Sequence, residues 1–254
     1  MKDRFAEPYR DRVRAESFGA VADDYDRLRP PYADAMLDDL ARLGPAAVLD
    51  VACGTGKVAA ALATRGLAVT GVEPDARMAA VARARGLTVE EATFEAWRDD
   101  GRTFDLVTCA NAWHWIDPSL GLAKMARVLR PGGHFALFFA IDVLEAPVAA
   151  ELVAVYAALA PEIPLFFDPK PRAEVDHLAG ATLFSSVERR SYPNERTLSA
   201  ETWVDMMGTV SLHRVLAPER FAALQQGVRE AIERLGGSVR AQCATQLWLA
   251  RRAA

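Results

Sequence analysis

Short apolar runs alternate with segments whose apolar positions recur at helical spacing through the first 140 residues. PYADAMLDDLARLG (31–44) predicts an amphipathic helix that Gly44 can end, with Pro45 just beyond. AVLDVA (47–52) has the unbroken apolar character of a strand buried on both faces. KVAAALATR (57–65) reads as a helix stopped by Gly66, and LAVTGVE (67–73) as a second buried strand. Asp75 is placed to cap ARMAAVARAR (76–85), which Gly86 closes. LTVE (87–90), FDLVTCA (104–110) and GHFALFFA (133–140) read as the third, fourth and fifth strands. SLGLAKMARVLR (119–130) is a helix ending at Pro131-Gly132-Gly133.

Strands alternating with helices of about ten residues imply βαβ units and a parallel sheet covered on both faces. After position 142 the rhythm changes. Helical patterns occupy 148–160, 173–180, 200–210 and 218–237, and strand-like ones 183–192 and 241–252. The expected fold is α/β: a Rossmann-like, doubly wound, mainly parallel seven-stranded sheet with an antiparallel last strand and helical lid insertions. One domain is expected over 1–254, with an N-terminal helical cover (1–45), a cofactor-binding βα core (46–141), and lid helices plus two closing strands (142–254). A separate second domain is the alternative. Leu165, Phe166 and Phe167, between prolines, are candidates to line the lid. In sheets of this kind ligands sit beyond the carboxyl ends of the strands, which directs attention to the residues just after each one.

Composition narrows the function. The chain has 254 residues, 51% hydrophobic and 25% charged, so it can bury a large core without disulfide or metal staples. Thirty basic against 34 acidic residues leave a net charge of −4, which argues against a nucleic-acid partner. Cys53, Cys109 and Cys243 form no Cys-x-x-Cys pair, and His114, His134, His177 and His213 form no close cluster with them; no metal site or disulfide framework is expected. The charged N-terminus lacks the apolar core of a signal peptide, and no apolar run reaches the ~18 residues of a membrane span. A cytoplasmic protein with no membrane partner is expected; its oligomeric state is open.

The loop after the first strand carries the chemistry. Gly54-x-Gly56-x-x-Ala59 satisfies a loose dinucleotide fingerprint, but Asp50 argues against a pyrophosphate there. A phosphate at this turn would be drawn by amide N–H groups and repelled by a carboxylate. A ligand that brings an ammonium and a sulfonium reverses that sign. Glu73, at the end of the second strand, is where a ribose diol is commonly held. The combination favours S-adenosylmethionine over NAD.

VLDVACGTGKVAAALATRGLAVTGVEPDARMAAVAR resembles the opening of a class I S-adenosylmethionine-dependent methyltransferase. FDLVTCANAWHWID and VLRPGGHFALF resemble the later sheet motifs in order and spacing, so the likeness covers roughly residues 18 to 140. Ala52 stands where the family loop has its first glycine. The resemblance implies that Asp50, Ala52, Gly54 and Gly56, with Cys53 and Thr55 between them, wrap the amino-acid end of the cofactor. It implies Glu73 on the ribose, Pro74, Asp75 and Met78 beside the adenosine, Thr93 and Phe94 at the adenine edge, and Ala110 and Asn111 along the middle. The stretch 18–32 is similar to a family segment that folds over the cofactor; there Tyr25 and Arg29 can hold the cofactor carboxylate or close the site.

The motif AWHWID is similar to the small-molecule branch of methyltransferase type 11 that includes trans-aconitate methyltransferase. His114 in it is a candidate general base or acceptor contact, and Trp113 and Trp115 face either an apolar acceptor or the core. The expected activity is methyl transfer from S-adenosylmethionine to a small-molecule acceptor, with S-adenosylhomocysteine as product. O-, N- and C-methylation stay open, and a small carboxylate or hydroxyl compound is favoured. The alternatives are an NAD(P)-dependent oxidoreductase and a non-catalytic S-adenosylmethionine-binding regulatory protein.

Overall fold

The computed structural model describes residues 7–165, 167, 178 and 181–253. Phe166, His177 and all of the expected helix at 173–180 except Leu178 lie outside them. A seven-stranded sheet organises the chain: β1 (Val48–Val51), β2 (Val69–Val72), β3 (Thr88–Glu90), β4 (Phe104–Ala110), β5 (Leu129–Leu144), β6 (Phe184–Ser199) and β7 (Ser238–Arg252). Their order is β3-β2-β1-β4-β5-β7-β6. The first five run parallel, and β7 is antiparallel to both β5 and β6. This is the Rossmann-like sheet expected from the alternating pattern.

Helices cover both faces because β5 alternates. Phe135, Leu137 and Phe139 join one core, with Trp97, Trp113 and Met125. Ala136 and Phe138 join the other, with Met36, Leu40, Val58 and Leu62. The second core draws on α2 (Asp34–Arg42) and α3 (Lys57–Ala63), and the first on α5 (Pro118–Val128). α1 (Ala22–Leu28) and α4 (Ala76–Ala84) complete the first half. Every residue of β1 is buried, as expected for a strand covered on both sides.

The strands after 128 are longer than the sequence pattern indicates. β5 begins at Leu129 and passes through Pro131-Gly132-Gly133, and β6 continues through Pro193 to Ser199. β6 is an edge strand, where proline removes no ladder donor that the sheet needs. No residue of β6 is fully buried, so its apolar signal is weak. The extensions of β5, β6 and β7 carry a cap built from α6 (Ala146–Leu159), α7 (Ala200–Met207) and α8 (Pro218–Arg234). The cap has its own core of Leu152, Tyr156, Trp203, Met207, Leu224 and Ile232, to which Leu28 of α1 also belongs. No helix among the described residues is long and apolar enough to cross a membrane.

Candidate functional site

The strand order reverses between β1 and β4, and a cavity opens beyond their carboxyl ends, where such sheets hold ligands. It encloses about 690 Å³, including its open mouth. Asp50, expected on the cofactor, does not line the cavity but is buried behind its wall, in a register that places Gly71 on one side and Thr108 on the other. The Thr108 hydroxyl donates to Asp50 Oδ1 at 2.7 Å. Asp50 Oδ2 is buried and has no hydrogen-bond partner among the described residues. Burial drives the Asp50 carboxyl up to about 7, against the Thr108 hydroxyl and the Ala59 amide.

The following loop turns through left-handed backbone at Ala52 (φ 51°), Gly54 (58°) and Gly56 (78°). Ala52 and Gly54 line the cavity. Gly56 faces α4 instead: a Cβ there would meet Leu87 Cδ1 at 2.5 Å and Ala82 Cβ at 2.9 Å. Glu73 lines the cavity with both carboxyl oxygens oriented by main-chain donors, Gly54 N–H to Oε2 (2.9 Å) and Asp75 N–H to Oε1 (3.0 Å). Its burial also raises it to about 7, with those amides opposing. One protonatable carboxyl thus lines the cavity, and a second is buried behind it, close enough for the charge of Glu73 to raise Asp50 further.

Pro74, Met78, Thr93, Phe94, Ala110 and Asn111 also line the cavity, as does Tyr25 from α1. Asn111, itself left-handed at φ 52°, accepts from Ala140 N–H (3.2 Å) and donates to the Tyr32 hydroxyl (3.0 Å). Other expected site residues sit behind the wall. Asp75 caps α4 by accepting from Arg77 and Met78 N–H groups and pairs with Arg77 at 3.1 Å. Thr55 donates its hydroxyl to Asp26 at 2.7 Å. Cys53 lies against Gly71, and burial pushes its thiol well above the ordinary range. Arg29 stacks 5.3 Å over the Tyr25 ring and donates to Thr209 O in the cap at 3.1 Å.

The motif after β4 divides. Trp113 is buried beside Phe135, with ring centroids 5.1 Å apart, and belongs to the core. Trp115 lines the cavity, meeting Phe18 edge-on at 5.9 Å and lying 5.1 Å below the Arg14 guanidinium. His114 is absent from the cavity wall; its ring lies 4.7 Å from Trp115. Arg12, Ala15 and Glu95 join the wall without a signal in the sequence reading. Thr108, a hydroxyl inside a strand otherwise apolar but for Asp105, was a readable one.

S-Adenosylmethionine would meet suitable chemistry here. The Glu73 carboxyl on the wall, with Asp50 buried behind it, suits a cationic ligand and offers acceptors for a diol, and Phe94, Pro74 and Met78 offer apolar surface for a purine. Among the described residues no cluster of His, Cys, Asp and Glu could hold a metal ion.

Residues 48–133 match the family described as methyltransferase domain. An uncharacterized methyltransferase of Mycobacterium tuberculosis is 40% identical over 123 residues, 48% of this chain and 51% of the relative. A ubiquinone biosynthesis O-methyltransferase of Alkalilimnicola ehrlichii is 35% identical over 115 residues, 42% of this chain and 47% of the relative. The chain spans about half the length of the curated relatives it matches. A solved structure from Anaeromyxobacter dehalogenans, assigned to the type II methyltransferases, shares the fold at a TM-score of 0.65 and 24% identity, covering 88% of this chain and 97% of its own. Haemonchus contortus phosphoethanolamine N-methyltransferase 2, solved with S-adenosylhomocysteine, shares it at 0.54 and 17%, covering 93% and 58%. Residues 48–133 thus carry the likeness to methyltransferase domains, on a sheet that shares the fold of solved methyltransferases.

Proposed function

We propose that the protein transfers a methyl group from S-adenosylmethionine to a small-molecule acceptor. The observation that carries this is the pair of buried carboxyls, Asp50 and Glu73, under and beside a loop with no basic side chain from Val51 to Gly56. Once ionised, such a pair repels a pyrophosphate and attracts a cation. The cofactor, when bound, supplies an electrophilic methyl group on a sulfonium. The chain's own residues supply binding, orientation and exclusion of water. Glu73, held by two amides, offers fixed acceptors to a ribose. Asp50 can ionise as a cation arrives, releasing its proton to solvent. Phe18, Tyr25 and Trp115 form an aromatic cover on the cavity. His114 is read as a group that sets the Trp115 ring or touches the acceptor.

Calorimetric titration with S-adenosylhomocysteine and, separately, with NADH tests the cofactor. Binding of the first and not the second is expected, and binding of NADH alone would sink the reading. Transfer of labelled methyl to a panel of small carboxylates, phenols and amines then tests the activity and identifies the attacking atom.

A further inference from the structure

The glycine loop and the N-terminal cover are tied together by a group that no cavity contact requires. Lys57, the first residue of α3, sends its ammonium back under α1 and donates to Asp26 O (2.6 Å) and Arg29 O (2.9 Å). Two residues earlier the Thr55 hydroxyl donates to the Asp26 carboxylate at 2.7 Å. Arg85, at the end of α4, pairs with the other oxygen of the same carboxylate. No ion pair joins Lys57 to a carboxylate among the described residues; the two carbonyls accept its hydrogen bonds and the nearby Asp26 carboxylate attracts it. A cation over the last carbonyls of a helix is favoured by the helix dipole, and α1 ends at Leu28. α1 carries Tyr25 onto the cavity wall, and Arg29 stacks on Tyr25. Burial lowers the Lys57 ammonium from its ordinary value, and the Asp26 carboxylate opposes that shift.

We propose that Lys57, with Thr55 and Asp26, is a positioning latch that holds the Tyr25–Arg29 segment on the cofactor cavity and sets its register to the glycine loop. None of the three lines the cavity, so the latch acts through Tyr25 and Arg29. A cover held in this way closes only over a loop in its folded conformation, which couples cofactor binding to ordering of 18–29. The coupling rests on the cavity being a cofactor site; the latch itself does not. Lys124 does the same for the segment that brings Thr93, Phe94 and Glu95 to the wall, donating to Glu95 O (3.2 Å) and Trp97 O, and serves as the internal comparison.

Hydrogen exchange read by mass spectrometry on the full chain tests this, with Lys57→Met, Lys57→Arg, Thr55→Val and Lys124→Met. Without ligand, Lys57→Met is expected to raise exchange in 18–29 about tenfold while the peptide spanning β1 and β2 stays within twofold. Lys57→Arg is expected to restore protection, which a general loss of stability would not allow. Lys124→Met is expected to loosen 93–97 and leave 18–29 unchanged. Unchanged exchange of 18–29 in Lys57→Met, or equal loosening everywhere, overturns the latch. Should Lys57→Met fail to fold, Thr55→Val carries the same test with a smaller rise. With S-adenosylhomocysteine, the dissociation constant of Lys57→Met is expected to rise about tenfold. An unchanged constant overturns the coupling alone. Absence of binding to the wild-type chain removes the cofactor reading and the coupling, and leaves the latch to the ligand-free result.

Discussion

The sheet behind the cavity and the cap each bury an ionisable group, and they treat it in opposite ways. In the cap, His213 is 1% exposed and engaged at both ring nitrogens. Nδ1 faces Met207 O at 2.8 Å, and a carbonyl only accepts, so Nδ1 carries the proton. Nε2 then accepts from the Tyr156 hydroxyl at 2.8 Å, and the ring stacks on Phe221. Behind the cavity wall, Asp50 is equally buried, with Oδ1 accepting from Thr108 and Oδ2 without a hydrogen-bond partner among the described residues. A satisfied buried group fixes a fold, whereas an unmet one marks where the fold is incomplete without a ligand. The two also titrate oppositely. Burial lowers His213 to about 4, so its contribution is intact above about 6.5 and is lost as pH falls from there towards 4. Asp50 and Glu73 are raised to about 7, so the ligand-free protein loses stability as pH climbs from about 4 to 7, while the unfolded chain ionises them first.

The sharpest way to break this contrast is His213→Ala. Removing the ring leaves a cavity beside Phe221 and strands the Tyr156 hydroxyl, so urea melts at neutral pH should show a loss of about 2–4 kcal/mol. Affinity for S-adenosylhomocysteine should stay within twofold. If affinity collapses together with stability, cap and cavity are not separable. The milder Tyr156→Phe should lose about 1–1.5 kcal/mol and isolate the hydrogen bond from the packing.

Asp50→Asn probes the other side. It keeps an acceptor for Thr108 but cannot become an anion. Affinity for S-adenosylhomocysteine should fall about 10–100-fold, or about 1.4–2.7 kcal/mol. For the wild type, binding should tighten as pH rises through about 7, with proton release visible as a buffer-dependent enthalpy. The variant should retain only the part of that slope due to Glu73. Its ligand-free melting temperature should gain on the wild type between pH 5 and pH 8. A pH-independent affinity in the wild type would show that neither carboxyl senses the ligand.

The two regions also differ in how readable they are. β1 and most of β4 are buried on both faces, and β2 is buried in its second half, so their apolar runs announce them, and residues just after them are on the cavity wall. β6 is half-exposed throughout, and Pro193 within it reads as a break until the strand is known to lie on an edge. Within the site, the residues set by the main-chain path were legible: Ala52, Gly54, Glu73, Thr93, Phe94 and Asn111. Those fixed by long-range contacts were not. Arg12 and Ala15 reach the wall because the cover folds back, and Thr55 turns to Asp26 on an element 29 residues away. Spacing along the chain carries no record of such pairings, and the Trp113–Trp115 division needs the helical turn to be seen.

The smallest expected effect lies at Ala52, and it tests whether the cavity loop stores strain that the cap does not. Ala52 holds φ 51°, a region that a Cβ disfavours by about 1–2 kcal/mol relative to right-handed backbone. The related family loop has glycine there, for which the same angle is unstrained. Ala52→Gly removes that strain but frees the unfolded chain, which offsets about 0.4–1 kcal/mol of the gain. The balance is a stabilisation of about 0.5–1 kcal/mol, or about 1–4 °C in melting temperature for a chain of this size. The turn itself is over-determined: Cys53 N–H donates to Val72 O at 3.1 Å and Gly54 N–H to Glu73, so the backbone path should survive the change. Cofactor affinity should therefore stay within about twofold. A fall in melting temperature would mean that the Ala52 methyl packs more favourably than its backbone angle strains, and the cavity loop would then resemble the cap in being built for stability.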